Sequence, residues 1–361
     1  MSNERYGMMS ASGAGRWGIC AASWHREKPF KTEETAQMRR GTKVHKVLET
    51  GEGVEGLEPD EREMYWQLVT KMRRTLMDLY EIDPRELPPN WRRLDEIRFA
   101  LMEEGWPRPF SGKPDVVLIN EKEKRAFIGD YKTGYAWVEP ANENLQLRAL
   151  AVLLASNYEL DEVSVAIWQP FVAGESPATY SRADLGTAKG WLIRAVNDAL
   201  EPNAPATPHA TACKYCKARG TCEEARGVMT KVEETNPTEI SVSDMPKMLA
   251  ACDVAEAVIA QIKGLAFDAL QNDPECIDGW KIKQGRKIRK IADCSSLRKE
   301  IEDAGLLGES DFRRLNFGLP DVEKLIAEAG SISRIEAKNK LTEIAGPLIE
   351  TKQASESLSR G

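Results

Sequence analysis

The chain has 361 residues, of which 30% are charged and 42% are hydrophobic, and its formal net charge is −7. This length allows one large core plus an appended domain. The excess of acidic residues excludes a protein whose whole surface is basic and binds nucleic acid, although a local basic groove remains compatible with it. Because no apolar run is long enough to cross a bilayer and the start lacks the order of a signal peptide, we expect a cytoplasmic protein that does not bind membranes.

In chain order, the first predicted elements are two helices that follow a short N-terminal segment. Residues 1–9 are predicted to be disordered. Apolar residues at helical spacing then predict helices over about 33–50 and 59–80, and the first of these carries His45. After a proline-rich break, a strand is predicted over Arg93–Met102. Its carboxylate Glu96 is equally compatible with a cleft and with solvent.

The next segment contains two short apolar strands, each with a carboxylate at one end. Val116–Ile119 follow Asp115, whereas Ala126–Ile128 precede Asp130. Because alternate strand residues share a face, Asp130 and Lys132 should point the same way, and strand pairing can bring Asp115 next to Asp130. Two adjacent carboxylates repel unless a hard cation such as Mg²⁺ or Mn²⁺ lies between them, so this pattern predicts metal-assisted phosphodiester cleavage. A surface hairpin with solvated charges is the alternative interpretation.

These residues resemble the signature of the PD-(D/E)XK nuclease superfamily, with Pro114-Asp115 and Asp130-Tyr131-Lys132 at its motif positions. The chain resembles most the RecB/AddB-like group, which includes CRISPR-associated iron–sulfur exonucleases. Gly41–Glu49 is similar to that group's upstream helix, and Asn144–Ala151 is similar to the helix after its lysine strand. The opening Arg16–Cys20 looks like that of a phage and prophage family with nuclease-like cores.

The resemblance implies a restriction-endonuclease-like α/β core, in which helices flank a mixed central sheet. The residues that it assigns to catalysis are Asp115, Asp130, Lys132 and Gln146, and those that it assigns to a catalytic Mg²⁺ or Mn²⁺ are His45, Asp115 and Asp130. Lys132 would serve the nucleophile. The group often has tyrosine where this chain has Leu150, so that tyrosine's role is absent or filled by another residue.

Further elements complete the predicted core, which covers residues 10–222. A helix over about 142–156 presents Gln146 and Arg148 early in its course, where an amide and a guanidinium could hold a phosphate or simply face solvent. Strands over Val163–Pro170 and Thr179–Ser181 precede a helix over Asp184–Leu200.

A cysteine cluster follows directly after the predicted core. Cys213, Cys216 and Cys222 have the spacing C-x2-C-x5-C, and Cys20 is a possible fourth ligand from the start of the chain. Seven cysteines in a protein expected to be cytoplasmic argue against a disulfide framework. Clustered thiolates bind zinc or an iron–sulfur cluster, and spacing alone does not decide between them. The layout resembles the AddB-type arrangement, in which a distant cysteine joins the beginning of the domain to its end. This resemblance favours a [4Fe–4S] cluster over Zn²⁺.

Residues 223–349 are predicted to form a mainly helical C-terminal domain. It begins with a linker-like stretch over 223–240 and a long helix over Ser241–Gln271. The segment Gly279–Ile291 then alternates as a hairpin without acidic residues. Its cations predicted to face solvent are Lys281, Lys283, Lys287 and Arg289. They form either a phosphate-binding ribbon or a solubilising face. Residues 350–361 are predicted to be disordered.

Together these patterns predict a metal-dependent deoxyribonuclease. The resemblance implies an exonuclease that processes DNA ends in phage recombination or replication, in the host cytoplasm if the protein is phage-encoded. Its expected partners are DNA ends or single strands, with phage recombination or single-strand-binding proteins. The alternative is a non-catalytic DNA-binding or recombination scaffold that keeps the nuclease fold.

Overall fold

The computed structural model describes residues 8–30, 36–101, 110–134, 138–170, 177–291, 294–308, 311, 319–353 and 356–360. The chain divides into two compact units, Met1–Ile262 and Lys263–Gly361. This division lies later than the predicted boundary after residue 222, because Ala225, Val254 and Val258 pack in one apolar cluster with Cys213. Within the described ranges, no helix combines the length and apolar content that a membrane span requires.

The first unit is a mixed α/β structure, in agreement with the predicted class. Its described helices, together with one that continues into the second unit, are α1 (Ala14–Trp17), α2 (Ser23–Arg26), α3 (Ala36–Thr50), α4 (Pro59–Tyr80), α5 (Leu145–Asn157), α6 (Arg182–Leu200), α7 (Ala210–Tyr215), α8 (Glu223–Glu234) and α9 (Met245–Asn272). Its described strands are β1 (Met9–Ser10), β2 (Arg92–Arg93), β3 (Phe99–Leu101), β4 (Phe110–Gly112), β5 (Val116–Asn120), β6 (Arg125–Tyr131), β7 (Glu162–Trp168) and β8 (Ala178–Ser181). The stretch predicted as a linker over 223–240 therefore begins with a helix.

A five-stranded sheet in the order β2-β5-β6-β7-β8 forms the centre of this unit. The β6–β7 pair is parallel, and the other pairs are antiparallel. Alternation along β6 sends Ala126 and Ile128 into a core shared with α5 and α6. Phe127 and Tyr131 point into a second core shared with α3 and α4. The sheet is thus covered by helices on both faces.

A smaller sheet in the order β1-β4-β3 lies before β5 in the chain. Met9 pairs with Phe110 in the parallel β1–β4 ladder and is buried. The prediction of disorder is therefore wrong for Met9, while residues 1–7 lie outside the described residues. The strand predicted over Arg93–Met102 is replaced by β2 and β3 with an irregular link between them, and Met102 lies outside the described residues.

Helix α4 follows the predicted bounds because its ends carry strong local signals. Glu58 and Glu61 form a reciprocal capping box, and Pro59 occupies the first turn, where a missing N–H costs nothing. The helix ends at Tyr80, and the next residue, Glu81, has a left-handed conformation with φ of 57°. Its apolar face, which includes Leu68 and Leu76, is buried against the sheet.

The second unit also contains helices and strands. Its helices after α9 are α10 (Cys294–Asp303), α11 (Leu319–Gly330) and α12 (Arg334–Ala345), and its strands are β9 (Trp280–Lys283), β10 (Lys287–Ile291), β11 (Ile349–Gln353) and β12 (Ser357–Arg360). The predicted hairpin is wrong in its pairing, since β9 pairs with β12 and β10 pairs with β11. The prediction of a disordered tail over 350–361 is wrong for residues 350–353 and 357–360, because these lie in β11 and β12, while residues 354, 355 and 361 lie outside the described residues.

Gly129 gives the first test of this packing, because the Trp168 ring lies directly over it. A Cβ at Gly129 would lie 2.2 Å from two ring atoms of Trp168, whose side chain is fully buried. We expect Gly129→Ala to destabilise the first unit by about 1–3 kcal/mol, as overpacking does in other cores. The midpoint of urea unfolding measures this change.

Gly186→Ala is the matched control for that substitution. Gly186 is exposed in α6, and a Cβ there would meet nothing within 4 Å. It should leave stability unchanged or raise it by about 0.5–1 kcal/mol, since alanine is the better helix former. Equal midpoints for the two variants would contradict the close packing of Trp168 on Gly129.

Candidate metal centre and cysteine cavity

Asp130, Lys132 and Gln146 form one hydrogen-bonded cluster where β6 ends. The Gln146 amide in the first turn of α5 donates from Nε2 to Asp130 Oδ1 at 2.9 Å. Lys132 Nζ lies 2.6 Å from Asp130 Oδ2 and donates to Gln146 Oε1 at 3.0 Å. Tyr131 points to the opposite face, where its hydroxyl lies 3.1 Å from Met72 Sδ. The predicted shared face of Asp130 and Lys132 is therefore present.

Asp115 lies next to this cluster because β5 and β6 are antiparallel. Val116 pairs with Gly129, so the residue that precedes β5 lies beside the end of β6. The backbone N–H of Tyr131 donates to Asp115 Oδ2 at 2.7 Å. This bond fixes one carboxylate oxygen and leaves the other available for a further contact.

His45, which belongs to helix α3, lies beside Asp115. Its Nδ1 lies 3.6 Å from Asp115 Oδ1. One turn earlier, α3 passes so close to the end of β6 that a Cβ on Gly41 would lie 2.7 Å from Thr133 Oγ1. A glycine at this position thus allows the approach that brings the imidazole to the carboxylate.

Glu96 is a site residue that sequence reasoning did not commit to. The ligand atoms of His45, Glu96 and Asp115 all lie within 4.8 Å of one another. Glu96 occupies the link between β2 and β3 with φ of 55°, and its N–H donates to Pro114 O at 3.2 Å. Its carboxylate pairs with Lys113. The sequence left Glu96 equally compatible with a cleft and with an exposed strand position, since a left-handed backbone at a non-glycine residue has no sequence signal.

Burial and neighbouring charges act together on the pKa values of the three carboxylates in this cluster, and their balance differs from one carboxylate to the next. Burial raises the pKa of Asp130, and Asp115 adds to the rise against the opposing effect of Lys132. Burial also disfavours charge on Asp115, but His45 outweighs it and holds the pKa of Asp115 below its usual value. Burial raises the pKa of Glu96, although Lys113 opposes this. Carboxylates in this balance gain from an added cation, as expected for a divalent-metal site.

The residues predicted to bind DNA have different surroundings. The Arg148 guanidinium lies 5.7 Å from the centre of the Trp191 ring and donates to Asn142 O at 3.4 Å. In the second unit, Lys281, Lys283 and Lys287 are exposed. The prediction that Arg289 faces solvent is wrong, because Arg289 pairs with Glu323 at 2.8 Å and donates to Thr342 Oγ1 at 3.0 Å. It is therefore not a cation free to face solvent.

The four cysteines of the predicted cluster line one cavity in the first unit. Cys20, Cys213, Cys216 and Cys222 line one small cavity of about 20 Å³ that opens in part to solvent. Cys20 arrives on the turn between α1 and α2, and the others lie in α7 and the turn that follows it. Residues far apart in sequence thus line one cavity.

Polar groups around the cavity are suited to thiolate sulfur. The N–H of Thr207 donates to Cys20 Sγ at 3.3 Å. Ser23 Oγ, at the cavity wall, is buried with no hydrogen-bond partner. Burial raises the pKa of the Cys216 thiol to about 11. Without a metal the Cys216 thiol stays protonated near neutral pH, which is typical of structural rather than nucleophilic cysteines.

Comparisons with known proteins add one family match. The family described as "Protein of unknown function (DUF2800)" matches residues 6–70 and 99–360. No protein with a curated description matches the chain. A solved structure titled "Crystal structure of SSO0001" is similar over 61% of this chain and 87% of that chain, with 14% identity and a TM-score of 0.35. Similarity at that level supports no argument about fold or function.

The contact between His45 and Asp115 predicts a pH dependence of the metal-free protein. Burial opposes charge on His45, but Asp115 outweighs it and raises the pKa of His45 above its usual 6.5. The charged pair then stabilises the folded state fully below the unfolded pKa of about 6.5, and this contribution is lost as pH rises through the folded pKa. Histidine NMR titration should show His45 titrating above 6.5, and Asp115→Asn should lower its pKa.

Asp161→Asn is the control for this titration. Asp161 pairs with Arg182 at the start of β7, at the end of the sheet away from Asp130. Because the chain has only three histidines, the resonances are readily assigned. If the pKa of His45 were at or below 6.5 and did not change in Asp115→Asn, the contact between His45 and Asp115 would be contradicted.

Proposed function

The chain belongs to the DUF2800 family of proteins of unknown function, and we propose that it is a metal-dependent DNA nuclease. The observation that carries the proposal is the cluster of Asp130, Lys132 and Gln146 beside Asp115. Two carboxylates and an ammonium at one end of a hairpin suit phosphodiester hydrolysis, because they can hold a divalent cation and offset charge on the phosphate.

The proposal includes membership of the PD-(D/E)XK superfamily and a restriction-endonuclease-like core. A mixed sheet with helices on both faces supports it. The motif residues lie at the adjacent ends of β5 and β6, and the first turn of α5 reaches the same cluster. The preference for an exonuclease rests on the RecB/AddB-like resemblance.

The residues proposed to hold Mg²⁺ or Mn²⁺ are Asp115 and Asp130 with His45, to which the structure adds Glu96. His45, Glu96 and Asp115 fit such a cation, since they offer carboxylate oxygens and one imidazole nitrogen within 4.8 Å of one another. Asp130 lies outside that group of three and is held by Gln146 and Lys132. A bound cation would polarise the scissile phosphate and lower the pKa of a nearby water. Burial raises the pKa of Asp130 and of Glu96 although each pairs with a lysine, so a bound cation would stabilise their charged forms.

The protein's own groups have separable tasks in this proposal. Lys132 can orient the attacking water and stabilise charge that develops on the phosphate. Gln146 holds Asp130 and Lys132 in fixed positions through its two hydrogen bonds. The Tyr131 N–H does the same for Asp115. Groups already held in place need little reorganisation during the reaction.

The four cysteines are proposed to hold a structural [4Fe–4S] cluster, with Zn²⁺ as the alternative. Their common cavity and the N–H donor to Cys20 support a metal held by thiolates. The resemblance, rather than the cavity, favours iron–sulfur over zinc. Such a site would tie the start of the core to its end.

The proposed substrate is DNA, as ends or single strands, in phage recombination or replication. Lys281, Lys283 and Lys287 are exposed on strands of the second unit, which is compatible with phosphate contacts. Phage recombination or single-strand-binding proteins are the proposed partners. These partners, like the phage context, rest on the resemblance.

A cleavage assay tests the catalytic cluster. Purified protein should degrade end-labelled DNA with Mg²⁺ or Mn²⁺ and stop when EDTA is added. Asp130→Asn and Lys132→Ala should each lower the rate by at least about 100-fold, because each removes charge that acts on the transition state. DNA binding, measured by gel shift, should largely survive Lys132→Ala.

Asp161→Asn serves again as control, since it removes a carboxylate from the opposite end of the sheet and should leave the rate unchanged. Cleavage by Asp130→Asn at the unmutated rate would contradict the assigned site. DNA binding without cleavage by the unmutated protein would favour the non-catalytic scaffold instead.

A second experiment tests the cysteine site. Cys20→Ser should lower both metal content and melting temperature about as much as Cys216→Ser, because binding energy at a site that closes a long loop acts as folding energy. A loss of at least about 5 °C is expected, since about 1 kcal/mol corresponds to about 2–4 °C for a domain of this size.

Cys276→Ser is the control for that series, because Cys276 is exposed and does not line the cavity. Anaerobically purified protein should be brown if iron–sulfur is bound and colourless if zinc is bound. Full metal content and an unchanged melting temperature in Cys20→Ser would remove Cys20 from the site.

A further inference from the structure

Arg26 joins the cysteine cavity to a carboxylate outside it. Its NH1 group donates to Cys222 Sγ at 3.2 Å and to Glu224 Oε2 at 2.5 Å, while NH2 donates to Glu224 Oε1 at 2.9 Å. Arg26 lies in α2, which follows Cys20 closely, whereas Cys222 and Glu224 lie at the start of α8. One guanidinium thus serves a cysteine sulfur and a carboxylate together.

Cys222 and Glu224 are close enough to repel each other once the sulfur is a thiolate. Cys222 Sγ lies 3.3 Å from Glu224 Oε2, a distance at which a thiol donates its proton to the carboxylate. A metal-bound thiolate has no proton to donate, so two anions would then face each other. Arg26 donates to both carboxylate oxygens of Glu224, an arrangement that suits a charged carboxylate.

We propose that Arg26 is a positioning residue that screens the Cys222 thiolate from Glu224 and so controls how fast the cysteine site loses its metal. The inference rests on the proposed metal-holding role of the cysteines, and it is independent of DNA cleavage. A cation between two anions stabilises both through charge-assisted hydrogen bonds. Without it, repulsion at this distance favours release of the thiolate from the metal.

Screening differs from a simple tether between α2 and α8 in one consequence. A tether is lost when either Arg26 or Glu224 is removed, and removing both residues restores nothing. Screening is needed only while Glu224 is charged. Arg26→Gln should therefore weaken metal retention, and Glu224→Gln in the same chain should restore most of it.

The experiment measures transfer of metal from anaerobically purified full-length protein to a chromogenic chelator, with iron, zinc and melting temperature determined for each variant. We expect Arg26→Gln to lose metal about tenfold faster than the unmutated protein, from the repulsion of two unit charges at such a separation. Arg26→Gln/Glu224→Gln should return close to the unmutated rate. Glu224→Gln alone should be no faster than the unmutated protein.

Arg182→Gln is the matched control, because Arg182 also pairs with a carboxylate, Asp161, but does not line the cavity. Its rate should equal that of the unmutated protein. An unchanged rate in Arg26→Gln, or a double variant as fast as Arg26→Gln, would overturn the inference and leave the proposed function intact. Unmutated protein without bound metal would overturn both the inference and the proposed cysteine site.

Discussion

The register of β5 against β6 is the constraint on which the candidate metal centre depends. Val116 pairs with Gly129, and this pairing sets Asp115 beside Asp130 and allows the Tyr131 N–H to reach the Asp115 carboxylate. A slip of one residue would turn every side chain of one strand to the opposite face. Cores on both faces of the sheet oppose such a slip, because apolar residues of β5 and β6 are buried on each side.

The same register places acidic groups where water is scarce, and the surrounding charges then determine their state. Asp115 has His45 at hand and keeps a lowered pKa, whereas Asp130 is more deeply buried and has a raised pKa despite Lys132. Two carboxylates with divergent pKa values in one cluster are typical of functional sites, although structural ion pairs also produce them. Stability gained in the core is what allows the chain to hold this unfavourable charge arrangement.

Local signals explain why some of the structure was predictable from sequence. The bounds of α4 follow from Pro59, a capping box and a continuous apolar stripe, all of which are local. The shared face of Asp130 and Lys132 follows from strand alternation alone. Cys20 could be matched to Cys213 only through a family resemblance, since nothing local connects them.

Features that depend on distant or unusual backbone geometry were not predictable in this way. Glu96 lies near His45 and Asp115 because its backbone has a left-handed conformation, which its residue type does not predict. β9 and β10 form a hairpin pattern in sequence, yet each finds its partner in the polar segment after Ile349. That segment has little apolar alternation, so only its distant partners make it a strand. Arg289 likewise does not have the exposure predicted for it, because it pairs with Glu323, which is remote in sequence.

The contacts of the N-terminal segment have a consequence for synthesis on the ribosome. Ala22 donates its N–H to Pro205 O, Glu27 accepts from the Lys217 N–H, and Arg26 pairs with Glu224. Each of these partners is translated long after the segment that needs it. Since a chain emerges at about 5–20 residues per second, the first helices wait on the order of ten seconds for the surfaces that bury them. The contacts that residues 22–27 make with residues 205–224 can therefore form only after nearly all of the five-stranded sheet has been synthesised.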